Sequence, residues 1–405
     1  MYDDTPLASR AELLAREFPR QGEGVFLNTA AQGILPQRTL AAMAEFERGR
    51  QYPNRIDDDH LAEIERTCRE RVAALVGAPA RQIGLATNTS DGINIAALHL
   101  PLGPGDCVLV PRGEFPANVY PWLALRRNGV ETVFHDTEGA HLAAEEVAAR
   151  LDRDPRIRAV AVSLVQFSNG HRNPVEAIGR ACRERGVFFV IDGIQGIGAV
   201  PFDWAEARPD FLACGGQKWL CAPWGSGFFV AAEWLCREVE PVRAGWLQVA
   251  GARKGGYGDL CRYDLAFLPD ATRFEVGTYA YTALLGLSTS ADLLLTVGID
   301  RIRDHARTLL QPLEQAIEER GARHHCCSSA GCRSSILCFG LGDEGATRDL
   351  HVRFVQAGIA CAFREGAIRI APHVYNTPDD IARTIHAMAA VGLPTQRLAA
   401  AAEVP

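Results

Sequence analysis

The sequence predicts an α/β protein: a large domain built on a mostly parallel sheet with helices on both faces, followed by a smaller α+β domain. Three observations lead there. Apolar runs of strand length alternate with helix-like stretches through the middle of the chain. Those runs are continuously apolar rather than alternating, which marks strands buried on both faces. After about residue 280 the texture changes to long helical stretches with two further strands. At 405 residues the chain is long enough to bury more than one core.

The elements follow in order. "DCVLVP" (106–111), "ETVFHD" (131–136), "IRAVAVSLV" (157–165) and "GVFFVIDG" (186–193) read as strands. "PVEAIGRACRERG" (174–186) reads as a helix, with Pro174 at its start and Gly186 as its stop. Residues 282–321 read as one or two long helices. "SSILCFGL" (334–341) and "AIRIAPHVYNT" (367–377) supply strands to the small domain. "PDDIARTIHAMAAVG" (378–392) is an amphipathic helix with Thr377 or Asp379 near its start. The expected division is an N-terminal segment, 1–25, packing with the small domain; a large domain, 26–285; the small domain, 286–395; and a frayed tail, 396–405.

Composition narrows the function. The net charge of −7 and the lack of a basic run argue against nucleic-acid binding. The acidic start "MYDDTPLASR" predicts no signal or transit peptide, and no apolar window reaches membrane-spanning length, so no membrane partner is expected. Twelve cysteines include no C-x-x-C pair; "CCSSAGC", with Cys326, Cys327 and Cys332, is the nearest approach to a metal pattern. Reduced, buried thiols in a cytoplasmic protein without a metal are therefore expected.

Three short stretches carry chemistry. "GGQKWLCAPWGSGFF" (215–229) holds one charged residue, Lys218, among glycines and aromatics. Burial disfavours its charged form, and a neutral amine can form a Schiff base with an aldehyde; a lysine snorkelling from a turn fits the same run. Asp192 ends the apolar strand "VFFVI", where parallel sheets present ligand-facing groups, although "DG" is also a common turn. In "ATNTSDGIN" (86–94), Thr89, Ser90 and Gly92 open a helix whose N-terminus either receives a phosphate or carries an ordinary cap. A strand-end acid with a downstream lysine suggests pyridoxal phosphate, which takes an amine at its aldehyde and an acid at its ring nitrogen.

With these residues in order, the sequence resembles the class V aminotransferases, fold-type I pyridoxal-phosphate enzymes whose relatives include cysteine desulfurases, isopenicillin N epimerase and kynureninase. The resemblance covers roughly residues 25–390 and is most specific over "IDGIQGIGAVPFDWAEARPDFLACGGQKWLCAPWGSGFF" (191–229). It implies a seven-stranded-type sheet, pyridoxal 5'-phosphate on Lys218 and a homodimer with active sites at the interface. It further implies Asp192 at the ring nitrogen, Gln195 at the phenolic oxygen, and Thr89 and Ser90 at the phosphate. Gln217 stands where many relatives carry a phosphate-binding His. Thr278, in "RFEVGTYAY", is implied to reach the partner's phosphate. Arg369, in "AIRIAPHVYNT", is implied to grip the substrate carboxylate. Phe115, in "RGEFPANVYPW", falls where desulfurases carry a stacking His, and its context resembles a kynureninase motif.

An amino-acid substrate reacting at Cα with Lys218 as base follows from the resemblance, and transamination is the leading reaction. The rivals are desulfuration or C–S lysis with Cys361 as a thiol, epimerisation, and kynureninase-like hydrolysis in a pocket of Trp122, Trp224, Trp246 and Tyr281, residues that core or interface packing would explain equally well. A non-catalytic binding protein on the same fold is the alternative from a different class. Asn28, Gln166 and Phe167 are further candidates to line the substrate pocket, and His171 and Arg364 to serve as an extra acid or carboxylate partner; a structural role is the alternative for each.

Overall fold

The computed structural model describes residues 7–20, 22–137, 142–250, 261, 263, 265–325 and 329–389. The tail expected to fray lies outside them, as do Cys326 and Cys327. After a short strand β1 (Val25–Phe26) the chain builds a seven-stranded sheet. Its strands are β2 (Ile83–Ala86), β3 (Cys107–Pro111), β4 (Glu131–His135), β5 (Ile157–Ser163), β6 (Phe188–Asp192), β7 (Phe211–Gly215) and β8 (Gly227–Ala231), in the spatial order β2-β8-β7-β6-β5-β3-β4. β4, β3, β5, β6 and β7 pair in parallel, whereas β8 runs antiparallel to both β7 and β2. β3, β7 and β8 are buried along their whole length, as continuous apolar runs require when both faces are covered. β7 and β8 lie on either side of the Lys218 turn.

The strand order places the site. From β3 the chain steps outward to β4, then returns past β3 to β5 and continues the other way through β6 and β7. Crossovers leaving in opposite directions open a crevice at the carboxyl ends of β3 and β5, where parallel sheets bind ligands. Glu114 and Phe115 follow β3, Gln166 and Phe167 follow β5, and Asp192 closes β6.

The helix Thr89–His99 packs on this sheet unusually closely. A Cβ on Gly92 would stand 2.6 Å from the Ala213 Cβ of β7, so only glycine allows the approach. That closeness lets the Thr89 hydroxyl at the helix start accept the Gly215 N–H at 2.9 Å. The stretch 282–321 forms two helices, Tyr281–Val297 and Ile299–Glu318, bent by 74° at Gly298, whose φ of 90° suits glycine. The first runs through the boundary expected at 285 and packs on the helices Gln37–Gly49 and Asp58–Val76. No single described helix is long and apolar enough to cross a membrane.

Beyond Gly298 lie β9 (Arg323–His324), β10 (Leu337–Gly340), β11 (Ile359–Ala360), β12 (Ala362–Arg364) and β13 (Ala367–Ile370). Four of them form an antiparallel sheet in the order β12-β13-β10-β9. β1 pairs in parallel with β11, Val25 and Leu27 enter the core beneath this second sheet, and Arg20 meets Asp380 at 2.9 Å.

Gly92→Ala forces the helix away from β7. It is expected to destabilise the protein by about 1–3 kcal/mol in urea unfolding, and to weaken phosphate-ester binding at the helix start more than stability alone explains.

Candidate functional site

Lys218 sits in the turn between β7 and β8, on a backbone that crosses another segment at close range. The Gly33 N–H donates to the Gln217 carbonyl at 2.8 Å, and a Cβ on Gly33 would lie 2.2 Å from the Lys218 carbonyl oxygen. The amine, Nζ, is 5.6 Å from the centre of the Phe115 ring. Burial pulls its pKa down to about 8. The Asp192 carboxylate works against that, and the positive charges of Arg369 and Arg364 add to it. Asp192 is buried at the end of β6 and accepts the Ile194 N–H at 3.0 Å. Burial pushes its carboxyl up to about 6, against the pull of that N–H and of Lys218.

Arg369 lies on β13 across the cleft, 3% exposed. It donates to the Phe167 carbonyl at 3.0 Å, its Nε has no partner, and no carboxylate pairs with it among the described residues. Burial lowers its pKa to about 10. Phe167 in turn meets Phe115 edge-to-face at 5.2 Å. Two further polar atoms are buried without partners: Asn28 Oδ1 and Gln166 Oε1. Gln195 spans the floor, donating to the Ala30 carbonyl at 2.9 Å and accepting the Trp219 indole N–H at 2.8 Å. Among the described residues its second amide N–H meets no protein acceptor. Beneath the lysine turn, His373 donates from Nε2 to the Trp219 carbonyl at 3.1 Å and stacks on Tyr375.

Lys218, Asp192, Phe115, Gln166, Gln195 and Arg369 therefore come together. Thr89 is buried against Gly215, and Gln217 lies beside the same glycine. Ser90 and Thr278 line a neighbouring cavity of about 500 Å³, with Asn88, Asn94 and Arg243. Thr278, expected to serve a partner's site, thus shares a cavity with Ser90 of its own chain, and it is exposed.

The structure decides several alternatives that the sequence leaves open. Cys361 is no mobile-loop thiol: it is buried between β11 and β12 in the small-sheet core, where burial pushes its pKa up to about 12. The aromatic pocket does not form from the four residues suggested. Trp122 is wholly buried in the core behind the sheet, Tyr281 bonds Glu65 at 3.0 Å, and Trp224 is 70% exposed. His171 is buried on a bridge to Arg333 rather than set in the cleft as an acid.

Glu114 is the site residue that the sequence reading missed. Its carboxylate accepts the Ser163 N–H at 2.7 Å, the Ser163 hydroxyl and the Gln166 amide at 2.9 Å. Ser163 faces Asp192 across β5 and β6. Glu114 thereby ties the Phe115 loop to the floor of the crevice. The available signal was a carboxylate beside Phe115 just past the end of a buried strand. Burial pushes Glu114 up to about 7, the nearby Asp192 adding to the effect against the Ser163 bonds.

The residues fit pyridoxal phosphate. A buried acid and a lysine whose pKa burial has lowered share one crevice, an aromatic ring stands beside the amine, and the buried Arg369 pairs with no carboxylate among the described residues. Comparison with known proteins gives the same answer, for the Aminotransferase class-V family model matches residues 25–383. The chain belongs to the class V aminotransferases and is a fold-type I pyridoxal-phosphate enzyme. It is 28% identical over 396 residues to a probable cysteine desulfurase of Methanothermobacter thermautotrophicus, covering 92% of this chain and 96% of that one. It is also 28% identical over 384 residues to the isopenicillin N epimerase of Streptomyces clavuligerus, covering 91% and 94%. Among solved structures, the apo cysteine desulfurase of Thermococcus onnurineus superposes with a TM-score of 0.81 at 20% identity, covering 93% of this chain and 96% of that one.

Glu114 gives a pH signature. A carboxyl raised from 4.5 to about 7 holds its proton in the folded state while the unfolded chain ionises. Stability should fall as pH rises through that window, by up to about 3 kcal/mol. Chemical unfolding of the apoprotein between pH 5 and 8 should show this decline, and Glu114→Gln should flatten it.

Proposed function

We propose that the protein is a homodimeric, cytoplasmic aminotransferase that takes an α-amino acid to its 2-oxo acid. The observation that carries this reading is Arg369: a buried guanidinium with an unpartnered Nε, its charge felt at the lysine, with no carboxylate paired to it among the described residues. Such a group is expensive to bury unless a ligand carboxylate completes it.

Bound pyridoxal phosphate would supply an electron sink for the pair released when the Cα proton leaves. This chain's residues do the rest. Lys218 would hold the cofactor, and its free amine would take the Cα proton of the bound substrate. A pKa of about 8 leaves a useful share of that amine unprotonated at neutral pH. Asp192 would hold a proton on the ring nitrogen. Gln195 would offer its remaining N–H to the phenolic oxygen, and Phe115 would pack beside the ring. Thr89, Ser90 and Gln217 would hold the phosphate, with Thr278 near it toward a second subunit. Arg369, with Asn28 and Gln166 beside it, orients the substrate so that the Cα–H bond points at Lys218.

Phe115 cannot move protons, so Lys218 is the one group at this face placed to take the proton and return it, as transamination requires. Exposed apolar side chains, Tyr120, Trp224 and Leu265 among them, suit a subunit interface. All ten described cysteines are free thiols, which suits a reducing compartment. Carbon–sulfur chemistry is the second reading, favoured by the names of the relatives; the burial of Cys361 opposes a thiol-relay form of it.

Incubation with a panel of amino acids, followed by mass analysis, tests both readings. A 2-oxo acid with conversion of the cofactor to its amine form is expected. Sulfide or alanine from cysteine would establish the second reading instead. Lys218→Ala should lower turnover by ~10³-fold or more. Covalent uptake of pyridoxal phosphate by the apoprotein, trapped with borohydride, should rise with pH through about 8. Because the Asp192 charge raises the Lys218 pKa, Asp192→Asn should move that rise to lower pH.

A further inference from the structure

We infer that the cleft is built for an amino acid carrying a second anionic group, its α-carboxylate on Arg369 and its side-chain anion on Arg364. The inference rests on the aminotransferase reading of this site and names its substrate class.

The geometry begins in a tight turn. β12 and β13 are joined by Glu365 and Gly366, with φ of 48° and 75°. Two central residues at positive φ define the hairpin turn that matches strand twist and sets the pairing register. In that register Ala362 faces Arg369, Phe363 faces Ile368 and Arg364 faces Ala367. Directly opposed residues share a face, and so do residues two apart on one strand. Arg364 and Arg369 therefore project from the same face as diagonal neighbours, at a backbone separation of about 7–8 Å. Arg369 is buried at the inner position, and Arg364 is exposed at the rim.

Charge points the same way. Arg364 donates to the Phe363 carbonyl at 2.8 Å, which holds the guanidinium back along its own strand. Among the described residues, neither arginine has an ion pair with a carboxylate, whereas Arg20, Arg69, Arg172, Arg307 and Arg333 each have one. The positive charge of Arg364 reaches both Lys218 and Arg369, lowering the pKa of each. Three cations thus converge on a cleft whose buried acids, Asp192 and Glu114, lie on the opposite, sheet side. One guanidinium satisfies one carboxylate through paired hydrogen bonds. A second, like-charged and diagonal to it, is unfavourable unless a second anion arrives. A neutral amino acid would leave Arg364 repelled, whereas an acidic side chain extending from Cα toward the rim would meet it. The cofactor's own phosphate would not satisfy this demand, because the helix start at Thr89 and Ser90 would receive it.

The test uses the cofactor-loaded enzyme with matched pairs: aspartate against asparagine, glutamate against glutamine, and cysteine sulfinate against cysteine. The acidic member of at least one pair should be favoured by about 10- to 100-fold in kcat/KM. Arg364→Met should collapse that ratio through KM, and Arg364→Lys should restore part of it. A turnover-independent arm measures calorimetric binding of succinate against butyrate, where succinate should win in the wild type and lose its advantage in Arg364→Met. Equal use of acid and amide in every pair would overturn the inference, as would a ratio indifferent to Arg364 or equal binding of succinate and butyrate. Failure of the aminotransferase reading looks different: no amino acid of either kind is converted to its 2-oxo acid, while the succinate arm still reports on Arg364.

Discussion

The structure turns on burying an amine and an acid at the same sheet edge. Lys218 and Asp192 each resist desolvation, and each is drawn back toward its charged form by the other. A lysine at its ordinary value of 10.5 would be almost wholly protonated at neutral pH. Lowering it to about 8 raises the share of free amine roughly 300-fold. The fold maintains this by enclosing the lysine turn with β7, β8, Gly33 and the small-sheet strand that carries Arg369. Loosening any of these walls would hydrate the amine and return it toward its resting charge.

Around that pair the site is made rigid by contacts that involve no ligand. Glu114 ties the Phe115 loop to β5, Gln195 links the N-terminal segment to Trp219, and His373 supports the same tryptophan from below. Phe167 connects the two halves, its ring against Phe115 and its carbonyl on Arg369. Asn28 Oδ1, Gln166 Oε1 and Arg369 Nε are among the buried polar atoms without a protein partner, as a site completed by a ligand would leave them. Preorganisation of this kind lets binding energy act on orientation rather than on ordering the protein.

The relatives share a fold and a cofactor while differing in chemistry, which directs attention to the residues bordering the cofactor rather than to those holding it. Two local features bear on the reaction. An aromatic ring, which cannot move protons, stands beside Lys218, and Cys361 lies locked in the small-sheet core. Both favour chemistry that Lys218 completes alone.

Much of this was legible in the sequence. The buried strands announced themselves as continuous apolar runs, and their alternation with helices predicted the parallel sheet. Asp192 and Lys218 stood out because a charge inside an apolar run needs a reason. β7 and β8 did not stand out, since each is a five-residue run against a glycine-rich turn, and nothing local says that β8 turns back antiparallel. Tertiary structure alone decided that Glu114 and Cys361 are buried, that Trp122 is core, and that Thr278 shares a cavity with Ser90. Periodicity and spacing report what a residue's own strand or helix does with it. Burial, pKa and partners depend on which distant segments pack against it, and that is set only when the strands take their places in the sheet.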